Sequence, residues 1–189
     1  MNNKGLPRVL VIDDLYGRSN EDREDFCVRM GLKDITNGEV SKGAPETIPN
    51  PLAEGVFCRG QVETGGHVEN DLPGTFEVVR GGWEQWPRWA LVFLDLQFKT
   101  GRIGLDGEPQ GRPSDSDPAS YFGLTILENL WKDPSLRDIP VVILSAMERD
   151  TIERRFADRG VWDFIDKTEI NLIVRLFCCL KVKIVSYFC

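Results

Sequence analysis

The chain has 189 residues, enough for one domain with a substantial core, and its net charge of −7 argues against direct nucleic-acid binding. The N-terminus lacks the apolar segment of a signal peptide, and five cysteines without metal-type spacing fit a reducing cytoplasm better than a disulfide framework. The single histidine, His67, lies in a glycine-rich stretch, where a solvated side chain is the simpler interpretation.

The first elements of the chain are a strand and a helix. Residues 1–7 are expected to be a disordered lead, and residues 8–189 to form a single domain. An apolar, β-branched strand runs from Arg8 to Ile12. Ser19 or Asn20 would cap a helix with acids in its first turn, and Gly31 would end it.

A polar excursion and a second helix follow. Residues 33–74 are rich in glycine, proline and polar side chains and predict a surface excursion, with one candidate strand from Gly55 to Val62. A second helix is predicted by four large side chains at helical spacing, which are Phe76, Val79, Trp83 and Trp86. Gly81-Gly82 disfavours this helix, and Pro87 would end it.

The run from Ala90 to Leu94 is apolar without alternation and leads into Asp95. Such a run is typical of a strand buried on both faces, as in a parallel sheet covered by helices. The segment after it, residues 96–122, far exceeds the usual connection of about 2–6 residues. We interpret this insert as a lid or a partner surface, and a mobile insertion without a role is the alternative.

Alternating helices and strands continue to the end of the chain. A helix with a wide apolar face lies near residues 124–131, and a strand near 140–144 follows it. A charged helix at 148–158 precedes a last strand at 162–166. This order predicts an α/β fold, a doubly wound five-stranded parallel sheet with right-handed crossovers and helices on both faces.

The tail, residues 170–189, predicts a helix that is apolar on nearly every side. It is about long enough to span a bilayer, but Arg175, Lys181 and Lys183 argue against a membrane span. We expect it to pack partly on the sheet and partly against another subunit, as in a homodimer. The alternative is a chain cut or altered where an output domain would follow.

Polar side chains stand at the carboxyl ends of four predicted strands. Asp13-Asp14, Asp95, Ser145 and Lys167 each follow such a strand directly. Ligands of open α/β sheets bind at the carboxyl ends of the strands, so these side chains should meet in one crevice. An acidic metal pocket beside an ammonium and a hydroxyl suits phosphoryl transfer onto a carboxylate.

This set of residues resembles the receiver domain of two-component response regulators, over Val9 to about Leu180. The resemblance implies a flavodoxin-like receiver fold and a phosphoacceptor function in a His-to-Asp phosphorelay that controls a partner or output domain. A sensor histidine kinase or a phosphotransfer protein would be the partner. Enzymatic activity would be limited to self-phosphorylation and autodephosphorylation at Asp95.

The resemblance also implies a role for each site residue. Asp95 would accept the phosphoryl group. Asp14 would bind Mg²⁺ directly and Asp13 through water, together with Asp95 and the backbone carbonyl of Gln97. Mg²⁺ prefers hard oxygen ligands and keeps several waters, which this acidic site allows.

Four residues would contact or respond to the phosphoryl group. Lys167 would pair with its oxygens, and Ser145 would donate a hydrogen bond to one of them. Ala146 is small and leaves room for the approach of Ser145. Phe164 would enter the space that Ser145 vacates, as a two-state switch; its alternative is an ordinary core aromatic.

The chain departs from the receiver pattern at two places. Thr168 stands where receivers usually have proline, and Gln97-Phe98-Lys99 replaces the usual Met-Pro turn. A phosphorylation-independent interaction module of receiver fold is therefore the competing hypothesis. A hydrolase of the haloacid-dehalogenase type would need Asp-x-Asp on the first strand, and Asp13-Asp14-Leu15 lacks it.

Overall fold

The computed structural model describes residues 6–16, 20–36, 51–84, 88–105, 109–110, 121–146, 161 and 163–167. The predicted helices at 148–158 and 170–189 lie outside these residues, as does most of the predicted lead. The described strands are β1 (Arg8–Ile12), β2 (Leu32–Asp34), β3 (Ala53–Cys58), β4 (Gln61–Thr64), β5 (His67–Asn70), β6 (Trp89–Leu94), β7 (Gly101–Arg102), β8 (Val141–Ser145) and β9 (Asp163–Asp166). The described helices are α1 (Asn20–Met30), α2 (Leu72–Glu84) and α3 (Phe122–Lys132).

The centre of the fold is a parallel sheet in the order β2-β3-β1-β6-β8-β9. Without its first edge strand, this is the flavodoxin-like order, in which the chain reverses its direction of winding between β1 and β6. The predicted parallel α/β fold is confirmed. The predicted strand number of five is wrong, because the described residues alone contribute six strands to this sheet.

The extra strand, β2, lies at the sheet edge and has little apolar character. Its Lys33 and Asp34 fall inside the excursion predicted at residues 33–74. Asp34 Oδ2 pairs with the Nε of Arg23 from α1 at 2.9 Å, in a largely buried ion pair. This contact and the backbone pairing with β3 hold a strand that the hydrophobic pattern does not reveal.

Helices cover both faces of the sheet, as predicted. Alternate residues of β1 point to opposite sides: Leu10 and Ile12 join a core with residues of α2 and α3, whereas Val9 and Val11 join a core with Phe26 of α1. The strands of the centre are buried on both sides, which explains their unbroken apolar sequences.

The candidate strand from Gly55 to Val62 is in fact two strands in two sheets. Gly60 lies between them with φ of +68°, a conformation that favours glycine and turns the chain out of the parallel sheet. Beyond it, β4 and β5 form a hairpin closed by Gly65 and Gly66, both with positive φ. Two consecutive residues with positive φ form the tight two-residue turn whose twist matches that of the two hairpin strands. The excursion predicted at residues 33–74 therefore contains more regular structure than the single candidate strand.

The hairpin also pairs with the start of the 96–122 insert. β7 lies antiparallel to β5, with Val68 opposite Gly101, and the Ile103 N–H donates to the Gly66 carbonyl at 2.9 Å. The resulting three-stranded sheet, β4-β5-β7, is separate from the central sheet. The first part of the insert is thus held by secondary structure, and residues 106–108 and 111–120 lie outside the described residues.

The predicted helices near residues 20–30 and 124–131 are confirmed, and the predicted helix at 76–86 is confirmed as far as Glu84. Trp86 and the predicted helix end at Pro87 lie outside the described residues. α2 begins earlier than predicted, because the Asp71 carboxylate accepts the Gly74 N–H at 2.9 Å and caps the helix. It then continues through Gly81 and Gly82 to Glu84. Within the described ranges, no helix combines the length and apolarity that crossing a membrane requires.

The two adjacent glycines of α2 predict opposite effects of alanine. A Cβ on Gly82 would overlap the indole ring of Trp89, which cannot move freely because its Nε1–H donates to the Val79 carbonyl at 2.9 Å. A Cβ on Gly81 meets no atom within 4 Å. We expect Gly82→Ala to lower the free energy of unfolding by about 1–3 kcal/mol through overpacking. Gly81→Ala should raise it by about 0.5–1 kcal/mol, because alanine favours the helix.

Urea denaturation of the two variants beside the wild type measures both changes. Gly81→Ala is the matched control, since it makes the same substitution one residue away on the same helix. Equal effects of the two substitutions would contradict the packing of α2 on Trp89.

Candidate functional site

Three carboxylates meet where β1 and β6 end. Asp13 and Asp14 follow β1, and Asp95 follows β6, the neighbouring strand. The Asp95 N–H donates to the Ile12 carbonyl at 2.9 Å, which fixes the two strand ends side by side. The carboxylates are 0%, 6% and 4% exposed in that order, and one oxygen of each lies within 4.8 Å of the others. This is the point at which the sheet reverses its winding, where ligands of such folds bind.

Lys167 brings a positive charge to this acidic group. Its Nζ lies 2.7 Å from Asp95 Oδ2 and 2.7 Å from Asp13 Oδ2. The residue follows β9, and its N–H donates to the Ser145 carbonyl of β8 at 2.9 Å. β8 lies between β9 and β6, so the long lysine side chain reaches across one strand end to the carboxylates.

Backbone amides orient the carboxylates. Asp95 Oδ1 accepts the N–H groups of Leu96 at 2.7 Å and Gln97 at 3.3 Å. Asp13 Oδ1 likewise accepts two N–H groups of the residues that follow it, at 2.9 and 3.1 Å. In both residues one oxygen is held by the backbone and the other faces Lys167. The third carboxylate, Asp14, accepts the Lys99 N–H on its Oδ2 at 2.9 Å.

Burial and the neighbouring charges shift two pKa values. Burial raises the pKa of Asp95 from 3.8 to about 7; the charges of Asp13 and Asp14 act in the same direction, and Lys167 opposes them. Burial lowers the pKa of Lys167, but Asp95 and Asp13 together outweigh burial and raise it above its ordinary value. Lys167 is therefore an ammonium at neutral pH.

The residues present fit a divalent cation. If all three carboxylates ionise, the single ammonium of Lys167 leaves an excess of two negative charges. Asp13 Oδ2 is fully buried, and among the described residues its ion pair with Lys167 is not accompanied by a well-aligned hydrogen bond. Carboxylate oxygens are the ligands that hard divalent cations prefer, and such a cation would balance the remaining charge.

The other predicted site residues lie at or near the same strand ends. Ser145 is the last residue of β8, is 1% exposed and stands opposite Asp166 in β9. Ala146 follows it and is exposed. Phe164 is buried in the core with residues of α2 and α3, and its switching role stays a prediction. Gln97 supplies an N–H to Asp95, and coordination by its carbonyl also stays a prediction.

Three residues beside the site were not predicted from the sequence. The Tyr16 ring lies 5.4 Å from Lys167 Nζ, and its N–H donates to Asp13. Lys99 acts through its backbone N–H, which every residue except proline carries, so no sequence signal marks it. Gly123 lets the first turn of α3 approach the backbone of Asp95, since a Cβ there would overlap the Asp95 carbonyl. In the sequence, a glycine in the first turn of a helix is only a weak indication of such a close approach.

Comparison with known proteins gives a likeness of fold. No protein-family model and no curated protein matches the sequence. The solved structures similar to this chain are response-regulator receivers. They include the phosphorylated cyanobacterial phytochrome response regulator RcpA (16% identity, 95% of this chain and 92% of that one, TM-score 0.48). They also include the Francisella response regulator 1452 receiver domain (17% identity, 94% of this chain and 98% of that one, TM-score 0.49). A third is the Vibrio cholerae chemotaxis protein CheY4 (10% identity, 93% of this chain and 99% of that one, TM-score 0.48).

The raised pKa of Asp95 predicts how stability depends on pH without divalent cations. Between about pH 4 and pH 7 the folded chain keeps a proton on Asp95 that the unfolded chain has lost. The free energy of unfolding should therefore fall as the pH rises through this range. A divalent cation favours the ionised carboxylate, so adding one at about pH 8 should restore stability.

Urea denaturation in EDTA at about pH 5 and about pH 8 measures this effect in the wild type and Asp95→Asn. The variant has no carboxylate at this position and should lose much of the pH dependence. The same decline in both proteins would show that another group is responsible.

Proposed function

We propose that the chain is a phosphoacceptor receiver that takes a phosphoryl group on Asp95 with Mg²⁺ in a His-to-Asp phosphorelay. One observation carries this proposal: the buried Asp95 carboxylate has one oxygen held by two backbone N–H groups and the other 2.7 Å from the Lys167 ammonium. Two further carboxylates lie beside it at the same sheet edge. A purely structural ion pair would need only one of the three acids.

The orientation of Asp95 indicates which oxygen would react. Oδ1 is held by the N–H groups of Leu96 and Gln97, whereas Oδ2 faces the crevice and Lys167. We expect Oδ2 to attack the phosphorus of a phosphohistidine. The new O–P bond forms as the P–N bond breaks, and the electron pair of that bond leaves with the donor imidazole. Oδ1 would become the carbonyl oxygen of the acyl phosphate and keep its two backbone hydrogen bonds.

Charge stabilisation at the phosphoryl oxygens would come from residues already at the site. Lys167 would shift its ammonium from the carboxylate to a phosphoryl oxygen, and Ser145 would donate a hydrogen bond to another. Asp13, Asp14, Asp95 and the Gln97 carbonyl would hold the cation. When bound, the divalent cation offsets the negative charge of the carboxylates and phosphoryl oxygens.

The conformational response would start from the added charge. An aspartyl phosphate is expected to add about −1.5 to −2 elementary charges, the value for phosphoserine. Ser145 would move toward it from the end of β8, where the next residue is the small, exposed Ala146. Phe164, now in the core, would follow into the vacated space and change the surface offered to a partner or output domain.

The phosphoryl donor would be a sensor histidine kinase or a phosphotransfer protein in the cytoplasm. The chain itself would catalyse only the transfer onto Asp95 and the later hydrolysis of the acyl phosphate. No role in nucleic-acid binding is proposed for this segment, because its net charge is −7.

Incubation with acetyl phosphate and Mg²⁺, followed by intact-protein mass spectrometry, tests this function. The wild type should gain one phosphoryl group per chain, because the small donor needs only the acceptor, the cation and Lys167. Asp95→Asn should gain none, and EDTA should abolish the gain. Asp138→Asn is the matched control, since Asp138 is an exposed acid before the opposite end of β8, and it should react like the wild type.

A well-folded wild type that gains no phosphoryl group under these conditions would contradict the proposal. The fold would then support the interaction module of receiver type instead. An adduct that persists in Asp95→Asn would place the acceptor elsewhere in the chain.

A further inference from the structure

The hairpin β4-β5 is attached to the loop that follows Asp95. We call residues 96–102 the acceptor loop. Three contacts join the two segments. The Gln61 Nε2–H donates to the Lys99 carbonyl at 2.7 Å. Gly60, the residue before β4, packs so close to the Phe98 ring that a Cβ on it would lie 2.8 Å from a ring carbon. The third contact is the pairing of β7 with β5.

The acceptor loop in turn supplies hydrogen-bond donors to the site. Leu96 and Gln97 donate their N–H groups to Asp95, and Lys99 donates its N–H to Asp14 Oδ2 at 2.9 Å. The bond to Asp14 directs one oxygen of this carboxylate toward the loop. The orientation of Asp14 beside Asp13 and Asp95 therefore depends on where Lys99 lies.

Gln61 and Asp14 bind two different backbone groups of Lys99. The Gln61 amide holds the Lys99 carbonyl, and Asp14 accepts the Lys99 N–H. We propose that Gln61 is a positioning residue for the cation site, because it fixes Lys99 and through it the carboxylate of Asp14. This inference rests on the proposed function, since it assigns Gln61 to the cation site through which that function would act.

The side chain at position 61 needs a hydrogen-bond donor, because its partner is the Lys99 carbonyl. A backbone carbonyl needs a donor, so leucine, of similar size, loses the bond, and lysine keeps a donor of sufficient length. The Gln61 Oε1 is buried without a hydrogen-bond partner among the described residues, so the contact to Lys99 is the polar contact that holds this side chain. The neighbouring Val62 is exposed and faces the other side of β4.

The test compares Gln61→Leu, Gln61→Lys and Val62→Thr with the wild type. Isothermal titration with MgCl₂ gives the dissociation constant, and NMR hydrogen exchange gives the protection of the Lys99 amide. Loss of one hydrogen bond predicts about three- to tenfold weaker Mg²⁺ binding for Gln61→Leu, with faster exchange at Lys99. Gln61→Lys should restore both values to within about twofold, and Val62→Thr, the control on the same strand, should leave both unchanged.

Rescue by lysine would show that the hydrogen-bond donor at position 61, and not the shape of the glutamine side chain, sets both values. A wild type that binds Mg²⁺ while Gln61→Leu binds it equally well would overturn this inference and leave the proposed function intact. A folded wild type that neither binds Mg²⁺ nor gains a phosphoryl group would overturn both.

Discussion

The Lys167 ammonium is shared by two buried carboxylates, Asp13 and Asp95, and the arrangement of the site depends on this ion pair. Burying an unpaired charge costs several kcal/mol, so each of the two carboxylates depends on Lys167, and Lys167 depends on at least one carboxylate. They come from the ends of β1, β6 and β9, which lie apart in sequence. The parallel order of the sheet brings these ends together on one edge, and the buried charges in turn require that order.

The same ion pair leaves part of the negative charge of the site unbalanced. One ammonium cannot balance three carboxylates. Burial is the main cause of the raised pKa of Asp95, and the charges of Asp13 and Asp14 raise it further. A divalent cation or a change of protonation would remove the unbalanced charge. A site whose own residues leave an excess of negative charge is suited to binding a cation, whereas a structural ion pair needs only equal numbers of positive and negative charges.

The sequence was sufficient for the central strands and the acidic site, because long apolar runs ending in polar residues mark buried parallel strands and their carboxyl ends. It was insufficient where polar contacts decide the structure. β2 is held by the ion pair of Arg23 and Asp34, and the acceptor loop by Gln61, whose partner Lys99 is 38 residues away. Backbone donors such as the Lys99 N–H have no residue signature, so only the packed chain reveals them.

The most direct test of the central claim identifies the residue that accepts the phosphoryl group. Borohydride reduces the acyl phosphate of an aspartate to homoserine, and tandem mass spectrometry of peptides locates the reduced residue. After treatment with acetyl phosphate and Mg²⁺, the account predicts homoserine at position 95, with Asp13 and Asp14 unchanged. Homoserine at position 13 or 14, or a phosphorylated protein without reduction at position 95, would contradict it.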